Sequence, residues 1–199
     1  MALKTKVLIN QVNNLSDARY CAGMGVDYLG FNVEEGQSNY LAPEPFKEMT
    51  SWVSGPEFVG EFNNSNLEEI INISSTYSIK AVQVSNLELV KELHNLDYSV
   101  IVDLPSKSFN RELAETRSSF VSAFMLRLET YEEEELGRIA SLAADFPIIL
   151  GGDISTQHLE SILEKPFQGI AMQGGDEVKP GYREFDEMAD ILELLELED

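Results

Sequence analysis

Short apolar segments alternate with amphipathic segments along the whole chain, and this alternation restricts the fold more than any other feature of the sequence. The apolar segments have the length and composition of strands, and the segments between them show helical spacing. An alternating order of this kind is typical of a parallel β-sheet with helices packed outside it. The eight predicted strands are KVLIN, YLGFNV, EFVGEF, KAVQV, SVIVDL, AFMLRL, PIIL and GIAM.

Eight strands that are each followed by one helix predict an α/β fold of the (β/α)8, or TIM-barrel, type. A chain of 199 residues is short for this fold, so we expect a single compact domain over residues 1–199 with short loops. An open doubly wound sheet gives the same alternation, but it usually has fewer strands and a glycine-rich first turn, whereas INQVNN contains no glycine. The helices are predicted to begin near Leu15, Pro43, Asn66, Leu87, Arg111, Tyr131, Thr156 and Phe185.

The chain is strongly acidic, with 35 acidic against 14 basic residues and a formal net charge of -21. Such a charge repels nucleic acid and anionic membranes, so neither is expected as a partner. No apolar run approaches the roughly 18 residues that suggest a membrane span. The start, MALKTKVLIN, lacks the apolar region of a signal peptide. We therefore expect a cytoplasmic protein.

The few cysteine and histidine residues predict neither a disulfide nor a metal site. Cys21 is the only cysteine, and its position in a helix that faces the barrel predicts a buried, small hydrophobic residue. His94 and His158 fall in outer helices without a carboxylate or second histidine at ligand spacing. No P-loop or Ser-His-Asp order is present, and no cofactor is predicted.

Side-chain amides are frequent at the predicted C-terminal ends of the strands, where barrels of this class bind their ligands. Asn10 and Gln11 end the first strand, Asn32 the second and Gln83 the fourth. Amides neither take up nor release a proton at neutral pH. This ring of residues therefore indicates that a ligand is recognised by hydrogen bonds.

Ionisable residues are fewer at the same strand ends. Asp103 and Lys107 in VDLPSKS could act as an acid/base pair, and Glu61 is an ionisable group inside the apolar segment FVGEF. Residues of this kind are more often satisfied polar groups at a barrel mouth.

Two Gly-Gly pairs follow the seventh and eighth strands, Gly151-Gly152 and Gly174-Gly175. Barrels of this class commonly hold a phosphate group there, on backbone N–H groups. The alternative is that each pair serves a tight strand-to-helix turn. Acidic residues beside the pairs, such as Asp153, oppose a strongly anionic ligand.

Six stretches together resemble the phosphoribosylanthranilate isomerase family of tryptophan biosynthesis, and the resemblance covers almost the whole chain. They are LSDARYCAGMGVDYLGFNV, YLAPE, FVGEFNN, AVQVSN, ILGGDIS and KPGYREFDEM. The resemblance implies a barrel that opens a phosphoribosyl ring and moves a proton between carbons. It implies a cysteine as base at the end of strand one and an aspartate as acid at the end of strand six.

At these catalytic positions the chain has Asn10 and Arg127, although a shift of the alignment by two residues places Glu129 at the second position. Asn39 matches a substrate-contacting arginine of the family, and Ala171 matches an acidic residue. Loss of both proton-transfer groups removes most of the catalysis, because each typically contributes ~10²–10⁴-fold.

Three functions are therefore kept open. The first is a pseudoenzyme that binds a small phosphorylated or sugar-like ligand without the ordinary isomerisation. The second is an active isomerase, an intramolecular oxidoreductase, with acid/base groups relocated to Asp103 or Glu129. The third is an interaction protein that uses its acidic surface or its helical tail. The chain is expected to be a monomer or a homodimer. The expected ligand-binding residues are Gly151, Gly152, Gly174, Gly175, Gln83 and Asn39.

Overall fold

A closed barrel of parallel strands forms the centre of the protein, in a computed structural model that describes residues 2–174, 177–179, 182–183 and 185–197. Each strand pairs with the next along the chain and β8 pairs with β1, which confirms the predicted fold class. The strands are β1 (Lys6–Asn10), β2 (Tyr28–Asn32), β3 (Glu57–Phe62), β4 (Ala81–Val84), β5 (Ser99–Pro105), β6 (Ala123–Arg127), β7 (Ile148–Gly151) and β8 (Gly169–Gln173).

A helix follows each strand of the barrel, near the positions that the sequence predicts. The fourth helix begins three residues later than predicted, at Val90, and a 3-10 turn at Thr156–His158 precedes the seventh. The helices are α1 (Leu15–Met24), α2 (Pro43–Thr50), α3 (Leu67–Tyr77), α4 (Val90–Asn95), α5 (Arg111–Arg117), α6 (Glu133–Ala143), α7 (Leu159–Leu163) and α8 (Phe185–Leu195).

One element was not predicted. Between β8 and α8, the segments β9 (Glu177–Lys179) and β10 (Tyr182–Arg183) form a short antiparallel pair. Strands this short carry too few residues for an alternation of apolar and polar side chains to be visible in the sequence.

Helix caps explain why the chain turns where it does. Asn14 precedes α1, and its side chain accepts a hydrogen bond from the N–H of Asp17. Gly25 ends the same helix in the left-handed region, with φ of 85°. At α3, Asn66 and Glu69 form a capping box in which each side chain bonds the other residue's backbone N–H.

The apolar core has two parts, one between the strands and the helices and one inside the barrel. Cys21 belongs to the outer part, where it is fully buried as a free thiol, and burial raises its pKa to about 12. It is therefore the buried hydrophobic residue that the sequence predicts. The inner part consists of Leu8, Val59, Ala81, Ile101, Ala123, Met125, Ile149 and Ala171. Within the residues described, no helix is long and apolar enough to cross a membrane.

The capping box of α3 provides a test of local stability. Asn66→Ala removes the side-chain acceptor for the Glu69 N–H, so we expect a loss of about 1 kcal/mol in the free energy of unfolding. Asn72→Ala is the matched control, because Asn72 is an exposed residue within the same helix and alanine has the higher helix propensity. Urea denaturation measures both. Equal stability of the two variants would contradict a stabilising cap.

Candidate functional site

A layer of polar side chains lies inside the barrel, directly above the inner apolar part of the core. Its members are each two residues beyond an inward-facing apolar residue of the same strand, and side chains two apart on a strand share a face. The layer thus follows from the period of the strands. The pairs, apolar residue first, are Leu8 and Asn10, Val59 and Glu61, and Ile101 and Asp103.

This polar layer is the floor of a cavity of about 630 Å³ at the C-terminal ends of the strands. Helix α8 closes one side of the cavity with Met188 and Ile191. The residues that line it are Asn10, Gln11, Glu61, Asn63, Gln83, Asp103, Met125, Arg127, Gly151, Gly152, Asp153, Ile154, Ser155, Ala171, Met172, Gln173, Gly174, Glu187, Met188 and Ile191.

Glu61 is buried at the floor of the cavity, with 5% of its surface exposed. Its Oε1 accepts a hydrogen bond of 2.7 Å from the backbone N–H of Gln11. The absence of a side chain at Gly30 makes room for this carboxyl, because a Cβ there would lie 2.3 Å from Oε1. Burial raises the pKa of Glu61 to about 7, the nearby charge of Asp103 adds to the rise, and the Gln11 hydrogen bond opposes it.

Asp103 is the second buried carboxyl of the floor. Arg127 donates a hydrogen bond of 2.8 Å from Nη1 to its Oδ2, while its Oδ1 has no partner among the described residues. Burial raises the pKa of Asp103 to about 6 against the opposing charge of Arg127. Asp103 and Arg127, which the sequence indicates as site residues for separate reasons, therefore form one ion pair.

The two amides of the floor have incomplete hydrogen bonding within the residues that the structure describes. Asn10 donates from Nδ2 to the sulfur of Met125 at 3.2 Å, and its Oδ1 has no partner. The Oε1 of Gln83 has none either. A buried polar atom without a partner costs free energy, so these oxygens are available to a ligand.

Asn39 lies in a separate network at the rim and does not line the cavity. Its Nδ2 donates to the Oε1 of Gln11, and its Oδ1 accepts from the Nδ2 of Asn13. Gln11 and Asn39 both have positive φ, 55° and 58°, which these side-chain bonds help to maintain. The predicted contact of Asn39 with a ligand stays a prediction.

The glycines after β7 have a conformational role. Gly152 has φ of 119°, and a Cβ there would lie 2.5 Å from the carbonyl oxygen of Leu128, so this turn requires glycine. Tyr131 donates from its hydroxyl to the carbonyl oxygen of Gly151 and stacks on His158, which supports the turn from the outer side. This geometry agrees with a tight turn and leaves phosphate binding as a prediction.

The glycines after β8 are described only in part. Gly174 lines the cavity. Its N–H donates to the backbone carbonyl oxygen of Asn10 at 2.7 Å, so this N–H is not available to a phosphate. Gly175 lies outside the described residues.

Glu129 lies on the surface, where it forms an ion pair with Lys107. Both side chains are about two-thirds exposed, and neither lines the cavity. The geometry thus brings Asp103 into the candidate site and leaves Glu129 outside it.

No motif in the sequence singles out Glu34, which shapes the rim. This buried carboxylate accepts hydrogen bonds from the backbone N–H groups of Asn63, Asn64 and Ser65, and so fixes the loop after β3. Its only signal was an acidic residue directly after an apolar strand. The sequence also does not predict that Met188 and Ile191 of α8 line the cavity, because their position depends on the path of the chain after β8.

Most of the chain is similar to one protein family. The family model described as N-(5'phosphoribosyl)anthranilate (PRA) isomerase matches residues 7–193. The N-(5'-phosphoribosyl)anthranilate isomerase of Thermotoga neapolitana is 25% identical over 193 residues, which cover 90% of this chain and 92% of that protein.

Solved structures show the same architecture. The phosphoribosyl anthranilate isomerase of Thermus thermophilus has a TM-score of 0.77 at 21% identity, covering 94% of this chain and 96% of its own. A phosphoribosyl anthranilate isomerase in complex with reduced 1-(o-carboxyphenylamino)-1-deoxyribulose 5-phosphate has a TM-score of 0.74 at 20% identity, covering 95% and 97%.

The two buried carboxyls predict a pH-dependent stability. Because their pKa values are higher in the folded than in the unfolded protein, the stability that they contribute is full below about pH 4 and is lost as the pH rises through about 6 and 7. We expect Glu61→Gln to reduce the fall in unfolding free energy between pH 5 and pH 8 by up to about 3 kcal/mol. Urea denaturation at several pH values measures this.

Glu112→Gln controls for the loss of one negative charge, since Glu112 is exposed on α5. An identical pH dependence in Glu61→Gln and in the unmodified protein would show that Glu61 does not titrate in this range.

Proposed function

Because the chain belongs to the N-(5'-phosphoribosyl)anthranilate isomerase family, we propose that it is an isomerase acting on phosphoribosylanthranilate or a related sugar phosphate, with relocated acid/base groups. The observation that carries the proposal is the presence of two buried carboxyls, Glu61 and Asp103, in the lining of one cavity. Their pKa values, about 7 and about 6, suit proton transfer near neutral pH.

The reaction needs one group that protonates the ring oxygen and one that accepts a proton from carbon. Glu61 has the higher pKa and supplies the proton to the ring oxygen as the bond from C1 to that oxygen breaks. Asp103 has the lower pKa and takes the proton from C2, which leaves a C1=C2 double bond with a hydroxyl at C2. The ketose forms when Asp103 returns that proton to C1 and the C2 hydroxyl gives its proton to Glu61, so both carboxyls regain their starting states. The unpartnered Oδ1 of Asp103 is the atom available for this step.

The family resemblance implies a general acid at the position of Arg127, but Arg127 has a different role in this scheme. Its guanidinium bonds Oδ2 of Asp103 and stabilises the ionised form of that carboxyl, which keeps it competent as a base. Arg127 thus orients Asp103 and transfers no proton itself, since a guanidinium stays protonated in proteins.

The phosphate of the substrate is assigned to the turn at Gly151 and Gly152, which lines the cavity after β7. A phosphate there would lie at the C-terminal face, as in other barrels of this class. A relative of the same fold binds reduced 1-(o-carboxyphenylamino)-1-deoxyribulose 5-phosphate, which supports a phosphorylated sugar as the ligand class.

A binding protein without catalysis is the second candidate function. It is favoured by Asn10 and Arg127, which replace the cysteine and aspartate that the family resemblance implies and which transfer no proton at neutral pH. In that case Asp103 and Arg127 form only a structural ion pair.

Activity of the unmodified protein decides between these candidates. We expect turnover of phosphoribosylanthranilate or of ribose 5-phosphate, with kcat reduced about 10²–10⁴-fold by Glu61→Gln and by Asp103→Asn. Glu112→Gln, an exposed carboxyl on α5, should leave kcat unchanged. A fall in kcat with Glu129→Gln would instead identify Glu129 as the relocated group.

The double variant Asn10→Cys, Arg127→Asp provides the opposite test. Turnover by this variant, together with none by the unmodified protein at any pH between 5 and 9, would contradict the proposed isomerase and support the binding protein.

A further inference from the structure

The floor of the cavity, formed by Asn10, Glu61, Gln83 and Asp103, contains an unusual number of unused hydrogen-bonding atoms. Each of the four residues is at least nine-tenths buried, with 5–7% exposed. Among the residues described, Oδ1 of Asn10, Oε1 of Gln83 and Oδ1 of Asp103 have no partner. A folded protein rarely leaves buried polar atoms unpaired without a ligand or water to satisfy them.

The chemistry of these atoms defines the part of a ligand that can occupy the floor. An ionised Asp103 only accepts hydrogen bonds, whereas the amides of Asn10 and Gln83 can both accept and donate. Hydroxyl groups match all three, because each hydroxyl carries one donor and can also accept. An apolar ring would leave the same atoms unpaired.

Charge restricts the ligand further. The cavity is lined by the carboxyl groups of Glu61, Asp103, Asp153 and Glu187, and by Arg127 as its one cation among the described residues. The guanidinium of Arg127 already bonds Asp103, and its side chain is 48% exposed. A carboxylate placed on the floor would face the carboxylate of Asp103 and the carboxyl group of Glu61, with no free cation beside it among the described residues.

From these contacts we propose that the floor binds the hydroxyl-bearing end of a sugar phosphate, and that the protein prefers a polyhydroxylated sugar phosphate to one that carries a carboxylated aromatic ring. This inference rests on the proposed sugar-phosphate ligand and makes its chemical class narrower. The phosphate lies towards the turn at Gly151 and Gly152, and the hydroxyl groups point down to Gln83 and Asp103.

Two unreactive ligands test this preference by isothermal titration calorimetry. D-Ribitol 5-phosphate has a hydroxyl at C1, and reduced 1-(o-carboxyphenylamino)-1-deoxyribulose 5-phosphate has a carboxylated aromatic group there. Neither is isomerised, so the result does not depend on catalysis. We expect ribitol 5-phosphate to bind at least 10-fold more tightly than inorganic phosphate and more tightly than the aromatic ligand. Equal or tighter binding of the aromatic ligand would overturn the proposal.

The variant Gln83→Met tests the floor itself, because methionine has a similar size and no amide. We expect its affinity for ribitol 5-phosphate to fall about 5–10-fold, as for the loss of one or two hydrogen bonds, with the affinity for inorganic phosphate unchanged. A thermal melt checks its fold. An unchanged affinity for ribitol 5-phosphate would contradict a contact with the floor.

The two proposals fail in different ways. If the protein shows no turnover but binds the ligands in the expected order, the proposed isomerase activity is contradicted and the proposed preference for a polyhydroxylated ligand is supported. If the protein turns over phosphoribosylanthranilate and binds the aromatic ligand tightly, the proposed isomerase activity is supported and the proposed ligand preference is contradicted.

Discussion

Closure of the barrel is the constraint on which the rest of the structure depends. Because β8 pairs with β1 as well as with β7, every strand has two neighbours and alternate side chains must point to a common interior. Apolar residues such as Leu8 and Ile101 fill the lower part of this interior, and polar residues two positions later form the floor of the cavity. The site therefore follows from the same periodicity that builds the core.

Burial gives the carboxyls of this floor their chemical character. Glu61 depends on the space at Gly30 and on the N–H of Gln11, a residue held at positive φ. Asp103 depends on Arg127 for charge compensation of one oxygen. Removal from water raises both pKa values toward neutrality. The same burial leaves three oxygens for a ligand to satisfy.

The chain has the closed barrel and belongs to a family of isomerases, and the end of β1 shows how a strand end is held in this fold. The side-chain Nδ2 of Asn10 donates to the sulfur of Met125, and the backbone carbonyl oxygen of Asn10 accepts from the N–H of Gly174. The end of β1 therefore has a structural role as well as a place in the cavity. Gly152 is required by the backbone of its own turn. The need for glycine in this turn is a property of the fold, whereas the reaction is established by measurements of turnover and binding.

The sequence by itself determined the order of strands and helices, because hydrophobic periodicity and caps such as Asn14 and Asn66 act over a few neighbouring residues. It also predicted that Asn10, Gln83 and Asp103 stand at strand ends. Only the tertiary structure decided that Asp103 meets Arg127, that Asn39 joins Gln11 at the rim and that Glu129 lies on the surface. Those outcomes depend on register between strands and on loop paths, which bring together residues far apart in the chain.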